Sequence, residues 1–354
     1  MKAQLGALGL LALLFAACGG GGSTPTPTPT PTPTASPTTT PIPPSATSTP
    51  RPPATPAEPS VADPQATCSD PYPGGAPFEP EPGEPILLGP TGQPPALAGY
   101  QPLPFATDQA LTRVVQASMG QDAQHIAVVV KNLADGRGVA IAANRTFNAA
   151  SLYKTWVLVE SYNQREAGLL DFDESYIISD YYEDEFGLNP GELAMCDEVT
   201  IDHVLEHMIR ASDNVAAHLL LDRVGARNVN ATLRSLGLNV SGYLTGLPTT
   251  AADMALVLEA IARRQVVSGP ASDEMLALLS TTYFADRLVA LLPEGTRVAH
   301  KTGNSQNATH DAGIVFSPAA TYVIVILTDF GFGDDGATPI ARLSRAVYDY
   351  YNGQ

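Results

Sequence analysis

The sequence predicts an α+β fold: an antiparallel sheet built from both ends of one domain, with an all-helical lobe inserted between the two sets of strands. Strand-like patterns of apolar residues lie at 126–142 and again at 297–328, whereas the pattern from 200 to 262 is almost entirely helical. Strands at both ends of a domain with helices between them predict one shared sheet. A cleft between sheet and lobe is then the natural place for a binding site.

Composition restricts this domain to the second part of the chain. The 354 residues allow one large domain or two of ordinary size, and an apolar content of 44% is ample for a core. However, 32 prolines are too many for a uniformly globular chain, and they are concentrated towards the N-terminus. The formal charge of −17 argues against nucleic acid or an anionic membrane surface as the main binding partner.

Residues 1–17 have the pattern of an export signal. Lys2 precedes an apolar run that is too short to span a bilayer as a permanent helix, and the run ends in Ala16-Ala17-Cys18. These small residues before a cysteine resemble a bacterial lipobox, which implies cleavage before Cys18 and lipidation of its thiol. We therefore expect an exported protein, attached to the outside of the cell membrane only by a lipid anchor. Ordinary secretion is the alternative.

Two further segments precede the domain. Residues 18–67 form a Thr/Pro-rich stalk that cannot bury a core, so we expect it to be disordered and extended. Residues 68–105 remain rich in Pro and Gly but gain apolar side chains, which predicts an irregular arm lying on a folded domain at 106–354. Cys68 and Cys196 would remain in an oxidising compartment, and the sequence leaves open whether they form a disulfide.

The domain contains a clear order of predicted elements. Asp108 precedes an amphipathic helix, and a hairpin signal at 134–136 separates strands at 126–130 and 139–142. A helix begins near Ala150 and runs to about Ala167. The other predicted elements are helices from 200 to 262 with breaks at Ser212, Gly225, Gly237 and Gly242, a helix at 272–292, strands at 297–301, 310–316 and 322–328, and a last helix at 340–350.

The stretch 147–156 contains a serine and a lysine three residues apart. On a helix that begins near Ala150, with Asn148 as its cap, Ser151 and Lys154 lie on one face, one turn apart. The helix dipole would stabilise an alkoxide developing on Ser151, and the backbone N–H of Ser151 would point at a substrate oxygen. Apolar neighbours such as Trp156 dry the site. Because desolvation lowers the pKa of a lysine, Lys154 is suited to accept the proton of the Ser151 hydroxyl.

Two other short stretches complete a pattern. Ser212-Asp213-Asn214 lies at a break between helical runs, and Lys301-Thr302-Gly303 ends a predicted strand. Together with Ser151-x-x-Lys154, and in this order, they resemble the motif set of class A β-lactamases and penicillin-binding proteins. The helix after the second motif and the strands at both ends are similar to that family as well. The resemblance therefore covers about residues 106–352.

The resemblance implies a function for each motif residue. Ser151 would attack an amide carbonyl, Lys154 would accept its proton, and Ser212 would relay that proton to the leaving nitrogen. Asn214 would contact an amide of the substrate, and Lys301 and Thr302 would contact its carboxylate. The substrate backbone would lie along the strand at Gly303. The N–H groups of Ser151 and Asn304 would form the oxyanion hole. Asp213 is expected to be structural. The implied partner is a small-molecule β-lactam or a D-alanyl-D-alanine-like peptide, with no cofactor, and a monomer is expected.

The chain departs from class A β-lactamases in one important respect. Those enzymes carry, after the second motif, an Ω-shaped loop with a glutamate that activates the deacylating water. Here the stretch 237–248 is short and contains no acidic residue, and Glu259 on the following helix is misplaced for that function. Efficient deacylation is therefore in doubt, whereas acylation is not. The stretch after the third motif, beginning at His310-Asp311, also lacks the arginine that many class A enzymes use for the substrate carboxylate.

A metal-binding pattern also occurs. His203-Val-Leu-Glu206-His207 matches the H-x-x-E-H signature of inverted zincins. On a helix, however, Val204, Leu205 and Met208 belong to the apolar face, which leaves both histidines on a solvated face. The sequence therefore predicts no metal at this motif.

Three hypotheses follow. The first is a lipid-anchored serine hydrolase of the class A β-lactamase fold, and the second is a D-alanyl-D-alanine peptidase or esterase with the same chemistry. The missing loop acid favours the second, whereas the size of a single domain favours the first. The third is a penicillin-binding sensor without turnover, against which the complete motif set argues because binding alone does not need Lys154.

Overall fold

The computed structural model describes residues 100–178, 193, 196–332 and 334–353. The predicted signal peptide, Cys18, the stalk, Cys68 and all of the arm before Tyr100 lie outside the described residues. Cys196 is disulfide-bonded. Among the described helices, none is both long enough and apolar enough to cross a membrane.

The strands of the main sheet come from both ends of the described domain. Up to the second motif, the elements are β1 (Ala106–Thr107), α1 (Gln109–Met119), β2 (Ile126–Asn132), β3 (Arg137–Ile141), β4 (Phe147–Asn148), α2 (Tyr153–Glu166), β5 (Ser175–Ile177), β6 (Glu198–Thr200) and α3 (Ile201–Arg210). After it come α4 (Asn214–Val224), α5 (Ala226–Ser235), β7 (Pro248–Thr249), α6 (Ala251–Ala262), α7 (Gly269–Leu279), β8 (Arg297–Ser305), β9 (Ala308–Phe316), β10 (Thr321–Thr328) and α8 (Ala337–Asn352).

The main sheet has six strands in the order β1-β3-β2-β10-β9-β8. Strand β10 pairs antiparallel with both β2 and β9, so the strands from the two ends of the domain meet at the centre of the sheet. The short edge strand β1 pairs parallel with β3, and every other pair of neighbouring strands described in this sheet is antiparallel. The α+β prediction and the two-ended antiparallel sheet are confirmed. Strand β8 forms the other edge.

Both faces of the sheet are buried. On one face, Val128 and Val130 of β2 contribute to a core with the apolar residues of α1 and α8. On the other face, Ala127 and Val129 belong to a larger core that includes Trp156 of α2 and the apolar faces of the other inserted helices. The alternation follows the two-residue period of a strand. Helix α2 lies deep in this second core, with twelve of its fourteen residues buried.

Two predicted boundaries are wrong. The helix predicted at 272–292 is α7, which begins at Gly269 because Ser268 caps it and Pro270 suits its first turn. It ends at Leu279, since the following segment makes tertiary rather than helical hydrogen bonds: the N–H of Tyr283 donates to the carbonyl of Arg210. The third motif does not end its strand either, because β8 continues to Ser305 through its pairing with β9.

A buried ion pair holds the described end of the arm against the domain. Lys131 Nζ lies 2.6 Å from a carboxylate oxygen of Glu259, and both side chains are almost fully buried. The backbone of Leu103 lies on this pair: its N–H donates to Glu259 at 2.6 Å and its carbonyl accepts from Lys131 at 2.5 Å. Arg263 adds a bond to the carbonyl of Gln101. These contacts fasten residues 101–103 to the domain.

Candidate active site

The nucleophile candidate lies in a tight turn at the start of α2. Residues Ala150–Leu152 form a 3₁₀ turn that leads directly into the α-helix. The prediction of Asn148 as the helix cap is wrong: Ala149 is the N-cap of the turn and Leu152 that of the helix, neither with a side-chain cap bond, whereas the side chain of Asn148 accepts from the N–H of Ala150 at 2.8 Å. Ala150 has a φ of 46°, a left-handed conformation that is unusual for a residue with a Cβ atom and that occurs mainly at functional sites. Ser151 follows it and is partly exposed.

Lys154 connects the first motif to the second. Its side chain is 0% exposed, and Nζ donates to the carbonyl oxygen of Ser212, to Ser212 Oγ at 3.3 Å and to Asn214 Oδ1 at 2.8 Å. Asp213 points elsewhere: its carboxylate accepts from the N–H of Ala216 at 3.0 Å and so caps α4. The structural function predicted for Asp213 is thus supported by its contacts.

Ser212 also connects Lys154 to Lys301. Lys301 Nζ donates to Ser212 Oγ at 2.8 Å, so one hydroxyl lies between two buried ammonium groups. Burial holds the pKa of Lys301 well below its usual value, and the charge of Lys154 lowers that pKa further, although Asp311 partly opposes both effects. Ser212 has a φ of 60°, a second left-handed residue in the site. This arrangement suits proton transfer, because two like charges so close together favour the loss of one proton.

The third motif lies against the nucleophile turn. A Cβ atom at Gly303 would lie 3.0 Å from the carbonyl oxygen of Ala149 and 3.4 Å from Cβ of Ala150. Gly303 is therefore needed for the close packing of β8 on the turn, which adds a reason that the sequence did not reveal. Thr302 is buried and Asn304 is exposed. The structure thus brings Lys154, Ser212, Asn214 and Lys301 into contact, and it packs Gly303 against the turn that carries Ser151.

Arg287 is a site residue that sequence reasoning missed. It lies in the segment predicted to be helical, and its side chain is almost fully buried. Its guanidinium donates to the carbonyl of His310 at 2.9 Å and lies 3.5 Å from that of Gly303. No local pattern marks an isolated arginine of this kind, since only the tertiary fold carries it to the third motif. Arg287 thus places a positive charge beside the third motif from the segment before β8.

The short loop between α5 and α6 is held firmly. The carboxylate of Asp253 accepts from the N–H groups of Val240 and Ser241 at 2.9 and 2.7 Å, and Asn230 bonds both the N–H and the carbonyl of Tyr243. The loop also continues into β7, which pairs with β4 next to the nucleophile turn. Loop and nucleophile turn are therefore one connected unit.

Several acidic side chains of the domain are already committed to other partners. Asp253 accepts hydrogen bonds from the loop amides, and Glu259 forms an ion pair with Lys131. This ion pair makes Glu259 unsuited to activate a deacylating water. Asp311 is fully buried and accepts from His300 and from the N–H of Leu288. Burial raises the pKa of Glu160, which accepts hydrogen bonds from Thr232, Gln164 and Asn163. None of these four carboxylates is arranged to activate a water at Ser151.

The H-x-x-E-H pattern lies on helix α3 as expected. Val204, Leu205 and Met208 are buried, whereas His203 and Glu206 keep 48% and 41% of their side chains exposed. One carboxylate oxygen of Glu206 pairs with Arg210, and the other lies 4.0 Å from Nδ1 of His203. Within the described residues, no group of three or more His, Cys, Asp or Glu side chains is arranged to hold a metal ion.

The sequence is similar to known β-lactamases. The sequence model of the beta-lactamase enzyme family matches residues 108–351. A beta-lactamase of Bacteroides uniformis is 27% identical over 177 residues, which are 43% of this chain and 60% of that relative. The extended-spectrum beta-lactamase PER-1 of Pseudomonas aeruginosa is 24% identical over 242 residues, or 58% of this chain and 75% of that protein.

Solved structures confirm the fold. A mutant of PBP-A in an acyl-enzyme complex with penicillin G has a TM-score of 0.66 and 24% identity, and the match covers 71% of this chain and 100% of that one. The beta-lactamase of Sphaerobacter thermophilus has a TM-score of 0.62 and 24% identity, with 70% and 99% of the two chains covered. The sheet and the helical lobe are thus arranged as in these proteins.

Proposed function

Because this chain belongs to the beta-lactamase enzyme family, we propose that it is a serine hydrolase that β-lactams acylate on Ser151 and from which the acyl group leaves slowly. The curated relatives are named as β-lactamases, and the PBP-A neighbour is an acyl-enzyme with penicillin G. These similarities support β-lactams as the substrate class. The geometry around Ser151 supports the order of the chemical steps.

In the proposed acylation, the Ser151 hydroxyl forms a bond to the lactam carbonyl carbon while its proton passes to Lys154. The C–N bond of the ring then breaks, and the leaving nitrogen receives a proton through Ser212. The distances of 3.3 and 2.8 Å from Ser212 Oγ to the two lysine Nζ atoms support this relay. Asn214 accepts from Lys154 through Oδ1, which leaves its amide N–H groups for a substrate carbonyl. The N–H groups of Ser151 and Asn304 would stabilise the oxyanion.

The proposed substrate carries a carboxylate. Lys301 and Arg287 concentrate positive charge beside Gly303, and Thr302 follows Lys301 on the same strand. A substrate carboxylate in this position would also raise the lowered pKa of Lys301, because an opposite charge favours the ammonium form. The chemistry of this end of the cleft therefore favours anionic substrates.

The observation that carries the proposal of slow deacylation is the acid-free loop. Deacylation needs a water near the acyl carbonyl and a base to accept its proton. The stretch 237–248 supplies no carboxylate, and Asp253, the first acid after it, is occupied by three loop amides. The candidate base is then Lys154, or an acid elsewhere in the fold.

A second candidate function rests on the position of the third motif. Within the described part of the chain, strand β8 is an edge strand of the sheet and pairs with no strand on its outer side. An extended peptide can add to such an edge by backbone hydrogen bonds. This geometry favours D-alanyl-D-alanine-like peptides as a second substrate class, hydrolysed through the same acyl-serine.

A pulse of penicillin followed by intact-mass measurements tests the proposal. We expect an adduct that forms quickly and persists for minutes or longer, which gives a burst followed by slow turnover. An adduct that decays within seconds would contradict slow deacylation and identify a competent β-lactamase. A peptide ending in D-alanyl-D-alanine is tested in parallel, and release of D-alanine would support the second function. Persistent label without any turnover of either substrate would instead favour a sensor.

The proposed location follows from Cys18. We propose that lipidation of Cys18 anchors the protein outside the cell membrane, because the pattern before Cys18 is that of a lipobox. We also propose that the protein acts there as a monomer. Metabolic labelling with a fatty-acid analogue is expected to mark the wild type and not Cys18→Ser. Equal labelling of the two would contradict the anchor.

A further inference from the structure

The turn that carries Ser151 is held by contacts of Asn148. The side chain of Asn148 accepts from the N–H of Ala150 and donates to the carbonyl of Gly246, both at 2.8 Å. The next N–H, that of Ala149, donates to the carbonyl of Leu247 at 2.7 Å. Asn148 therefore ties the nucleophile turn to the short loop on one side.

His310 completes this arrangement from the sheet. It is fully buried in β9, and its Nδ1 accepts from the backbone N–H of Thr328 at 3.0 Å. Because that N–H can only donate, the imidazole proton of the neutral ring belongs on Nε2. Nε2 lies 2.8 Å from the carbonyl oxygen of Asn148, so it donates there. Burial lowers the pKa of His310 to about 4, which keeps the ring neutral at neutral pH, and the hydrogen bond from Thr328 selects this tautomer.

The position of this contact matters because of the residue that follows. Ala150 holds a left-handed φ of 46°, and a non-glycine residue keeps such a conformation only where its surroundings enforce it. Asn148 and Ala150 flank Ala149, whose carbonyl packs against Gly303 of the third motif. The directions of the Ser151 side chain and N–H follow from the backbone angles of this turn.

We propose that His310 is a positioning residue for Ser151, acting through its hydrogen bond to the carbonyl of Asn148. This inference rests on the proposed acylation of Ser151. The bond connects strand β9 to the nucleophile turn and holds the Ser151 hydroxyl and N–H in line with the third motif. Reactive groups misplaced by about 1 Å lose on the order of 10²-fold in rate.

Two substitutions separate positioning from simple filling of space. His310→Gln keeps a long amide that can reach Asn148, whereas His310→Asn keeps an acceptor for Thr328 but is too short to reach Asn148. We expect the acylation rate constant with a fluorescent penicillin to fall about 10- to 100-fold in His310→Asn. The dissociation constant of the non-covalent complex should stay unchanged, and His310→Gln should recover most of the rate.

Several results would overturn the inference. Wild-type acylation rates in His310→Asn would do so, as would a His310→Gln variant as slow as His310→Asn, because the bond to Asn148 would then be irrelevant. If both variants fail to fold, the wild-type imidazole itself tests the contact: its ¹⁵N NMR shifts are expected to place the proton on Nε2, and a proton on Nδ1 would overturn the inference because Nε2 could then not donate to the carbonyl of Asn148. Absence of any adduct on the wild-type protein would remove the proposed function and this inference together.

A double-mutant cycle gives an independent measurement. If Asn148 and His310 act through one turn, the combined loss of acylation rate in Asn148→Ala with His310→Asn should be smaller than the product of the single losses. Strictly multiplicative losses would show that the two residues act separately and would overturn the coupling proposed here.

Discussion

Replacing Ser151 by alanine is expected to abolish covalent labelling by β-lactams completely. The substitution removes the only atom that the proposed mechanism uses to form the acyl bond, and the remaining groups cannot replace it. The fold should persist, because Ser151 is partly exposed and the side chain is small. We expect the free energy of unfolding to change by less than about 1 kcal/mol. Intact mass after incubation with a penicillin measures the adduct.

Ser161→Ala is the matched control for this experiment. Ser161 is a buried serine on the same helix, and its hydroxyl donates to the carbonyl of Val157 one turn earlier. Within the described part of the chain, the Ser161 hydroxyl forms no hydrogen bond to a motif residue. We expect this variant to label like the wild type. A penicillin adduct on Ser151→Ala would show that another residue is the nucleophile.

Replacing Lys154 is expected to have the second largest effect. Without the base, the Ser151 hydroxyl stays a poor nucleophile, and general bases contribute about 10²- to 10⁴-fold to such steps. We expect the acylation rate of Lys154→Ala to fall by that factor. The loss of one of two neighbouring ammonium groups should also raise the pKa of Lys301, whose present lowering is due to burial and then to Lys154.

Lys154→Met distinguishes the loss of the base from the loss of volume. Lys154 is completely buried, so alanine would leave a cavity, whereas methionine fills most of the same space without a charge. Both variants should acylate equally slowly if the amine is the base. A rate within about threefold of the wild type in Lys154→Met would refute the general-base function, since it falls far short of the expected factor.

The sequence predicted the fold class and the motif residues because both depend on local patterns. The two-residue period of the strands and the helical periodicity of the lobe identified which segments meet in the sheet. Asn148 is not the helix cap that its position predicts, because a 3₁₀ turn precedes the helix, but its side chain still bonds the N–H of Ala150. The residues of the three motifs came from short stretches whose order is informative even though each stretch alone is weak.

Helix boundaries were predicted less well where tertiary contacts replaced local ones. Helix α7 ends at Leu279, earlier than its pattern suggests, because the chain after it makes tertiary bonds to Arg210 and Asp311 and only isolated turns of its own. Likewise β8 extends past Gly303, since pairing with β9 stabilises residues that have weak strand propensity.

The sequence by itself therefore identified the three motifs, the loop without an acidic residue and the segments that precede the folded domain. Only the tertiary structure decided which residues surround those motifs. Arg287 reaches the third motif from a segment without a pattern, Asp253 is occupied by loop amides, and His310 contacts Asn148 across 162 positions of sequence. Such contacts depend on the packing of distant segments, and a single sequence contains no periodic signal for them.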